Sequence, residues 1–152
     1  MQVEQRLAEL GITLPSPSKP AGTYVRTVQV GDILYVAGTG PMSTVSGWKG
    51  KLGQDLTVEQ GYEAARSCGL QILATLKEVL GDLDRVKRLV KTLGMVNATP
   101  DFTDHVRVVN GVSDLFAEVF GEKGKGARSA VGMGSLPGGI SVEVETMFQI
   151  ET

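Results

Sequence analysis

The sequence predicts an α+β domain: a mainly antiparallel sheet carrying two long helices on one face. Three observations lead there. Two long segments repeat apolar residues at helical spacing. Shorter segments alternate apolar and polar side chains at strand spacing. No internal repeat, low-complexity tract or linker divides the 152 residues, a length that suits one hydrophobic core. The chain therefore reads as a single domain over 1–152, with an N-terminal helix and connector (1–21) ahead of a core (22–150).

Taken in order, Val3, Leu7 and Leu10 define a short amphipathic helix that Gly11 ends. PSPSKPAG (15–22) is a turn-rich connector. TYVRTVQV and ILYVAGT flank Gly31-Asp32 and read as a β-hairpin. Residues 38–55 form a long, Gly-rich loop with a short strand expected near 48–52; loops of this length are often functional. In TVEQGYEAARSCGLQILATLKEVLG, Thr57 and Gln60 make a capping box and Gly81 a stop. Val58, Tyr62, Ala65, Gly69, Ile72, Leu76 and Leu80 share its apolar stripe.

VKRLVKTLGMVNA predicts a strand apolar on both faces, with Val86, Val90 and Val96 on one and Leu89, Leu93 and Met95 on the other. A second long helix over 101–120 aligns Phe102, Val106, Val109, Ser113, Phe116 and Phe120. Gly69 and Ser113 occupy the same phase, as close helix packing would require. ARSAVGMG and ISVEVETMFQI, separated by SLPGG, read as an antiparallel pair. In the last strand Ile140, Val142, Val144 and Phe148 face one way, and Ser141, Glu143, Glu145, Met147 and Gln149 the other. Two helices on one face leave the other face bare, and no helices remain to cover it. An obligate homo-oligomer is the expectation.

Composition narrows the function. The net charge is −2 and the pI about 5.4, which gives little electrostatic pull toward nucleic acid or an anionic membrane. One cysteine, Cys68, excludes an intramolecular disulfide and a thiolate metal site, and one histidine, His105, removes the common His-based metal spacings. No segment has a signal-peptide pattern or membrane-spanning length, so the expected location is the cytoplasm.

A phosphate-loop reading of GARSAVGMGSLPGG fails on spacing. Ala127 stands where the Walker lysine would be, and Pro137 where the third glycine of a dinucleotide fingerprint would be. A strand follows the run rather than a helix, so the helix N-terminus that binds anions is missing. Arg128 reads either as an exposed strand-end arginine in a surface ion pair or as a bidentate clamp for a ligand carboxylate. Its small neighbours Ala127, Ser129, Ala130 and Gly132 would admit a ligand close to the backbone. Glu143 and Glu145 share a face, either as one solvated and one paired carboxylate or with one acting on a water as general base. His105 reads as an ordinary helix-surface or interface residue and Cys68 as a small helix-face residue rather than a nucleophile. Trp48 either anchors its loop or lines a pocket.

TYVRTVQVGDILYVAGTGP, the LVKTLGMV strand, DFTDHVRVVNGVSDLFAEVFG and above all ARSAVGMGSLPGGISVEVE resemble the Rid, or YjgF-like, family over about residues 22–150. The likeness is to the branch with an extra N-terminal segment. The resemblance implies a chorismate-mutase-like fold and a homotrimer whose sheets line a central barrel, with three clefts between neighbours. It implies cofactor-free, metal-free hydrolysis of reactive enamines and imines, such as 2-aminoacrylate, to 2-keto acids and ammonia.

Carried over, Arg128 matches the arginine that grips the substrate carboxylate, and Glu143 the residue that positions or activates water. Tyr24 and Asn110 match cleft residues, and Ala130 stands where the deaminase branch commonly has cysteine. Gly126 replaces the usual proline two residues before the arginine. Two other classes stay open. One is a binding protein for a small keto or amino acid that uses the same clamp without chemistry. The other is an endoribonuclease or translation inhibitor, against which the acidic pI and 5% aromatic content weigh.

Overall fold

A computed structural model describes residues 2–152. Helix α1 (Gln2–Glu9) leads through the connector to a hairpin of β1 (Thr27–Val30) and β2 (Ile33–Thr39). Then come α2 (Val58–Leu80), β3 (Val86–Asn97), α3 (His105–Phe120), β4 (Ala127–Met133) and β5 (Val142–Ile150). The five strands form one mixed sheet in the order β1-β2-β5-β3-β4, parallel between β3 and β4 and antiparallel elsewhere. Both long helices pack on one face, so the α+β expectation holds.

Local signals set the element ends. Gly31 turns the first hairpin at φ 62°, a left-handed conformation that favours glycine. Thr57 and Gln60 cap α2 reciprocally, with Thr57 Oγ1 accepting from Gln60 N–H at 3.1 Å and Gln60 Oε1 from Thr57 N–H at 2.9 Å. Asp84 accepts from the Gln2 and Val3 amides at 2.8 Å and so seats α1 on the domain. Between helices and sheet lies the core, where Phe116 meets Phe148 edge-on at 5.7 Å among Leu34, Ile72, Leu76 and Leu115. Such a ring pair adds about 0.5–1.5 kcal/mol beyond the burial of its area.

The structure corrects several details. β4 and β5 do not pair. β4 runs parallel to β3, from Lys91↔Ala127 to Asn97↔Met133, and β5 lies between β2 and β3. SLPGG looks like a hairpin turn, but turn chemistry does not choose a strand's partner. The patterns do: β5 buries every second residue from Val142 to Ile150 and suits the interior, whereas β4, built of small residues, is an edge. The crossover through α3 makes β3 and β4 parallel. Near residues 48–52 there are isolated bridges, Lys49↔Ile140, Leu52↔Leu56 and Leu52↔Ala98, but not a strand.

Two register shifts along β3 against β5, between Val86 and Arg88 and between Leu89 and Lys91, change its phase. Leu89 therefore joins Val86, Thr92 and Val96 on the buried face, and Val90 is exposed. The apolar stripe of α3 is also rotated from the expected one. The helix starts at His105, so Phe102 precedes it and misleads the phase. Val108, Val109, Val112, Leu115, Phe116 and Val119 are buried, and Val106 is 57% exposed. Close packing of α2 on α3 is at Gly69 and Gly111 rather than Ser113. A Cβ at Gly69 would lie 2.7 Å from Leu115 Cδ2, and one at Gly111 would overlap the Tyr62 carbonyl oxygen.

The sheet's other face is bare, as expected. Val28 (50% exposed), Val30 (61%) and Tyr35 (44%) lie on it beside half-buried Leu93, Met95 and Met147. Among the described residues no helix is long and apolar enough to cross a membrane. Because the wall facing Gly111 is α2 backbone, Gly111→Ala is expected to destabilise the fold by about 1–3 kcal/mol in urea unfolding. A change within about 0.5 kcal/mol would contradict the packing described.

Candidate functional site

Arg128, the second residue of β4, pairs in register with Thr92 and projects onto the helix face beneath α3. Its Nη1 donates to Asn110 Oδ1 at 2.8 Å and to Ser113 Oγ at 3.0 Å. Asn110 and Ser113 are three residues apart on α3 and so share a face. The guanidinium is half-buried, and both partners are neutral. Among the described residues no carboxylate lies within ion-pair distance of it. Burial pulls its pKa down, with Asp114 acting the other way. Asp114 itself accepts from Tyr62 Oη at 2.7 Å, a bond that helps push the Tyr62 phenol up to about 12.

Beside Arg128 is a cavity of about 200 Å³ lined by Leu89, Thr92, Ser113, Gly124 and Gly126, with Lys125 exposed at its mouth. Ala130 follows two residues along the same face, opposite Gly94 and packed against the core. Arg128 and Asn110 are thus in direct contact, while Ala130, further along the same face of β4, does not line the cavity.

Glu143 and Tyr24 lie elsewhere in the chain. Glu143 pairs with Met95 and faces the bare side of the sheet, opposite the face of Arg128. Tyr24 precedes β1, exposed, its Oη accepting from the Ala21 amide at 3.1 Å. β1 and β4 are opposite edges of the sheet, about 19 Å apart over four strand spacings. One copy of the chain therefore does not assemble these residues around one ligand.

Glu143 has its own setting. Its carboxylate abuts Gly38, where any Cβ would collide with Oε2, next to a register shift in β2. Burial raises its pKa, the neighbouring Glu145 charge adds to the rise, and Arg26 opposes it. Arg26 is fixed by donating Nη1 to Gly38 O at 3.2 Å and Nη2 to Thr39 Oγ1 at 2.6 Å. Sequence reasoning missed Arg26, Gly38, Ser113 and Thr92 as site residues. A glycine inside a strand pattern was the available signal for Gly38, and the three-residue spacing from Asn110 was the one for Ser113.

The other candidates carry less chemistry. His105 packs edge-on against Phe102 at 5.1 Å and lines a cleft of about 580 Å³ with Lys51 and Thr99. That cleft is larger than the one at Arg128, but its cation is already engaged: Lys51 Nζ donates to Asn97 Oδ1 at 2.8 Å and to the Gly134 carbonyl. Cys68 is fully buried, and burial together with the Glu143 charge holds its thiol protonated, so it is no nucleophile. Trp48 belongs to the loop's anchor, its carbonyl accepting from Ser141 N–H at 3.0 Å while Ser141 Oγ donates to Gly47 O at 2.5 Å. Among the described residues no group of three or more His, Cys, Asp or Glu side chains is placed to hold a metal.

Comparison with known proteins gives a consistent picture. A family model described as "YjgF/chorismate_mutase-like, putative endoribonuclease" matches residues 4–140. Protein TCP17 of Trypanosoma cruzi is 46% identical over 151 residues, 98% of this chain and 94% of that protein. The crystal structure of Atu1372 from Agrobacterium tumefaciens, a protein of unknown function, superposes with a TM-score of 0.89 at 41% identity, covering 99% of this chain and 93% of that one. That of a candidate endoribonuclease from Shewanella oneidensis MR-1 superposes with a TM-score of 0.92 at 31% identity, covering 97% and 99%.

The raised Glu143 pKa has a thermodynamic signature. The native state keeps this proton to higher pH than the unfolded chain does, so stability falls as pH rises from the ordinary carboxyl value through the native one. Glu143→Gln lacks that fall. Its stability relative to the parent is expected to increase in thermal unfolding as the pH rises above the ordinary carboxyl value of about 4. A pH-independent difference would mean that the carboxyl is not perturbed.

Proposed function

Since the chain belongs to the YjgF/chorismate-mutase-like family, we propose that it hydrolyses reactive imines and enamines of small amino-acid-derived carboxylates. The products are 2-keto acids and ammonia, and the reaction takes place in a cleft between copies of the chain. The carrying observation is the Arg128 guanidinium, half-buried and bonded only to neutral side chains through Nη1. A partly desolvated cation with no carboxylate in ion-pair contact is unfavourable, and an arriving carboxylate relieves it with charge-assisted bonds to Nη2 and Nε.

The chemistry asks little more of the protein. An imino carbon is already electrophilic, so orientation, a water and proton transfer suffice. Water adds to the C=N carbon while Glu143 takes its proton. Glu143 passes that proton to nitrogen, giving a carbinolamine. The C–N bond then breaks as the carbinol O–H loses its proton to nitrogen, so that ammonia leaves and the C=O of the keto acid remains. A carboxylate whose pKa is raised above the ordinary range is a stronger base for this exchange than an ordinary glutamate. Because Arg128 and Glu143 face opposite sides of the sheet, the clamp and the base acting on one ligand come from different copies, as does Tyr24. The bare apolar face supports such an assembly, a homotrimer in this reading. No cofactor or metal enters the scheme. An endoribonuclease, the activity in the family's description, would need a basic track and stacking aromatics that this composition does not favour.

Arg128→Lys keeps the charge but loses the fork. Ammonia release from freshly generated iminopropionate is expected to fall about 10- to 100-fold. An unchanged rate overturns the clamp, and salt-dependent RNA cleavage by the parent would favour the endoribonuclease instead. Sedimentation is expected to show an oligomer at micromolar concentration, and a stable monomer there would overturn the composite site.

A further inference from the structure

Arg26 shares the bare face of the sheet with two carboxylates and pairs with neither. With Glu145, Tyr35 and Met147 it lines a cavity of about 310 Å³ there, and Glu143 lies two residues from Glu145 on the same face of β5. Among the described residues neither carboxylate is within ion-pair distance of the guanidinium. Its donors go to neutral oxygens, Nη1 to Gly38 O at 3.2 Å and Nη2 to Thr39 Oγ1 at 2.6 Å, and Nε is buried without a partner. Bonds from a guanidinium to a carboxylate are the stronger kind, so something holds the side chain back.

The restraint is built into β2. Val36 pairs with Thr146 and Thr39 with Val144, so Ala37 and Gly38 bulge from the ladder opposite Glu145. The bulge frees the Gly38 carbonyl for Arg26, and the Ala37 amide donates to Arg26 O at 2.8 Å. Thr39 is buried, and its hydroxyl donates to Ala37 O at 2.9 Å, which leaves a lone pair for Nη2. Glu143 meets the same bulge, its Oε2 so close to Gly38 that a Cβ there would overlap it. Gly38 thus touches both groups, the guanidinium through its carbonyl and the carboxyl at its Cα.

Resting on the reading of Glu143 as the base, we infer that Arg26 is its positioning residue, tethered by Gly38 and Thr39 on the carboxyl's face but out of contact with it. Both halves of that arrangement matter. Burial and Glu145 favour the protonated carboxyl, which cannot take a proton from water, and Arg26 opposes them. Closed onto Glu143, the same cation would occupy the lone pairs that water needs. Other neighbours add no charge. Met95 on β3 stands opposite Glu143, and Cys68 on α2 feels the Glu143 charge but keeps its own proton.

Carbon-13 spectroscopy of the Glu143 carboxyl in the full-length protein tests this, with the signal identified by its loss in Glu143→Gln. Arg26→Gln is expected to raise the carboxyl's proton affinity about three- to tenfold. Thr39→Val removes the acceptor of Nη2, lets the guanidinium close, and is expected to lower that affinity by about as much. Thr39→Ser keeps the acceptor and is expected to keep the parent midpoint. The acid limb of ammonia release from iminopropionate is expected to move with the carboxyl in each variant. If Arg26→Gln and Thr39→Val leave the midpoint unmoved, Arg26 does not act on Glu143 and this inference falls. A parent acid limb that matches the midpoint then still keeps Glu143 as the base. If the midpoints move and the acid limb does not follow, the base is another group, and the reading beneath the inference falls with it. Should Arg26→Gln fail to fold, Thr39→Val against Thr39→Ser decides, and equal midpoints overturn the positioning role.

Discussion

The seating of α3 governs the rest of the molecule. Gly111 has no side chain, so α3 lies against the backbone of α2 at Tyr62 and Arg66. That contact fixes the height and rotation of a helix that must also carry the chain from β3 across to a parallel β4. The helix runs opposite to β4, with His105 above Gly132 and Ser113 above Arg128. The pairing of Asn110 and Ser113 with one guanidinium follows from that alignment. So does the cavity beside it, which lies where the end of α3 turns back into the sheet edge. The Tyr62–Asp114 hydrogen bond and the Arg66–Glu118 ion pair at 3.5 Å span the same two helices and keep the rotation from drifting.

Much of this was written plainly in the chain. Thr57, Gln60 and Gly81 marked the long helix because capping is a local matter of three or four residues, and local matters survive without tertiary knowledge. The alternation in β5 identified its buried face correctly for the same reason. What misled was information carried by residues far apart. SLPGG has the composition of a hairpin turn, yet the identity of β4's neighbour is decided by which strand can bury both its faces. The two register shifts in β3 cannot be seen by counting, because each adds a residue that leaves no mark in composition. At the site, Arg128 and Asn110 are hydrogen-bonded, and Ala130 lies two residues along the strand from the guanidinium. The sequence pattern gives Ser113 to helix packing because its stripe begins at Phe102, a residue that lies ahead of the helix.

The distribution of charge across the sheet is the more consequential finding for function. A cation with no carboxylate in direct contact lies under the helices at one edge. A carboxylate that resists ionisation lies on the bare face, beside Gly38 and the tethered Arg26. Neither arrangement is what a solitary domain needs for stability, since each leaves a charged group partly desolvated. In the proposed assembly both become halves of one site, and the apolar surface that a single copy leaves in water is covered by the same contact.

The burial of Cys68 has a practical consequence. The chain has one thiol, and it is held protonated in the core between α2 and β5, its sulfur 3.9 Å from the Val142 carbonyl oxygen. A labelling reagent reaches that sulfur only when α2 lifts away from the sheet. The rate at which the native protein is alkylated therefore counts those openings one by one, without any engineered probe, and ligands that hold the helices down will slow the clock.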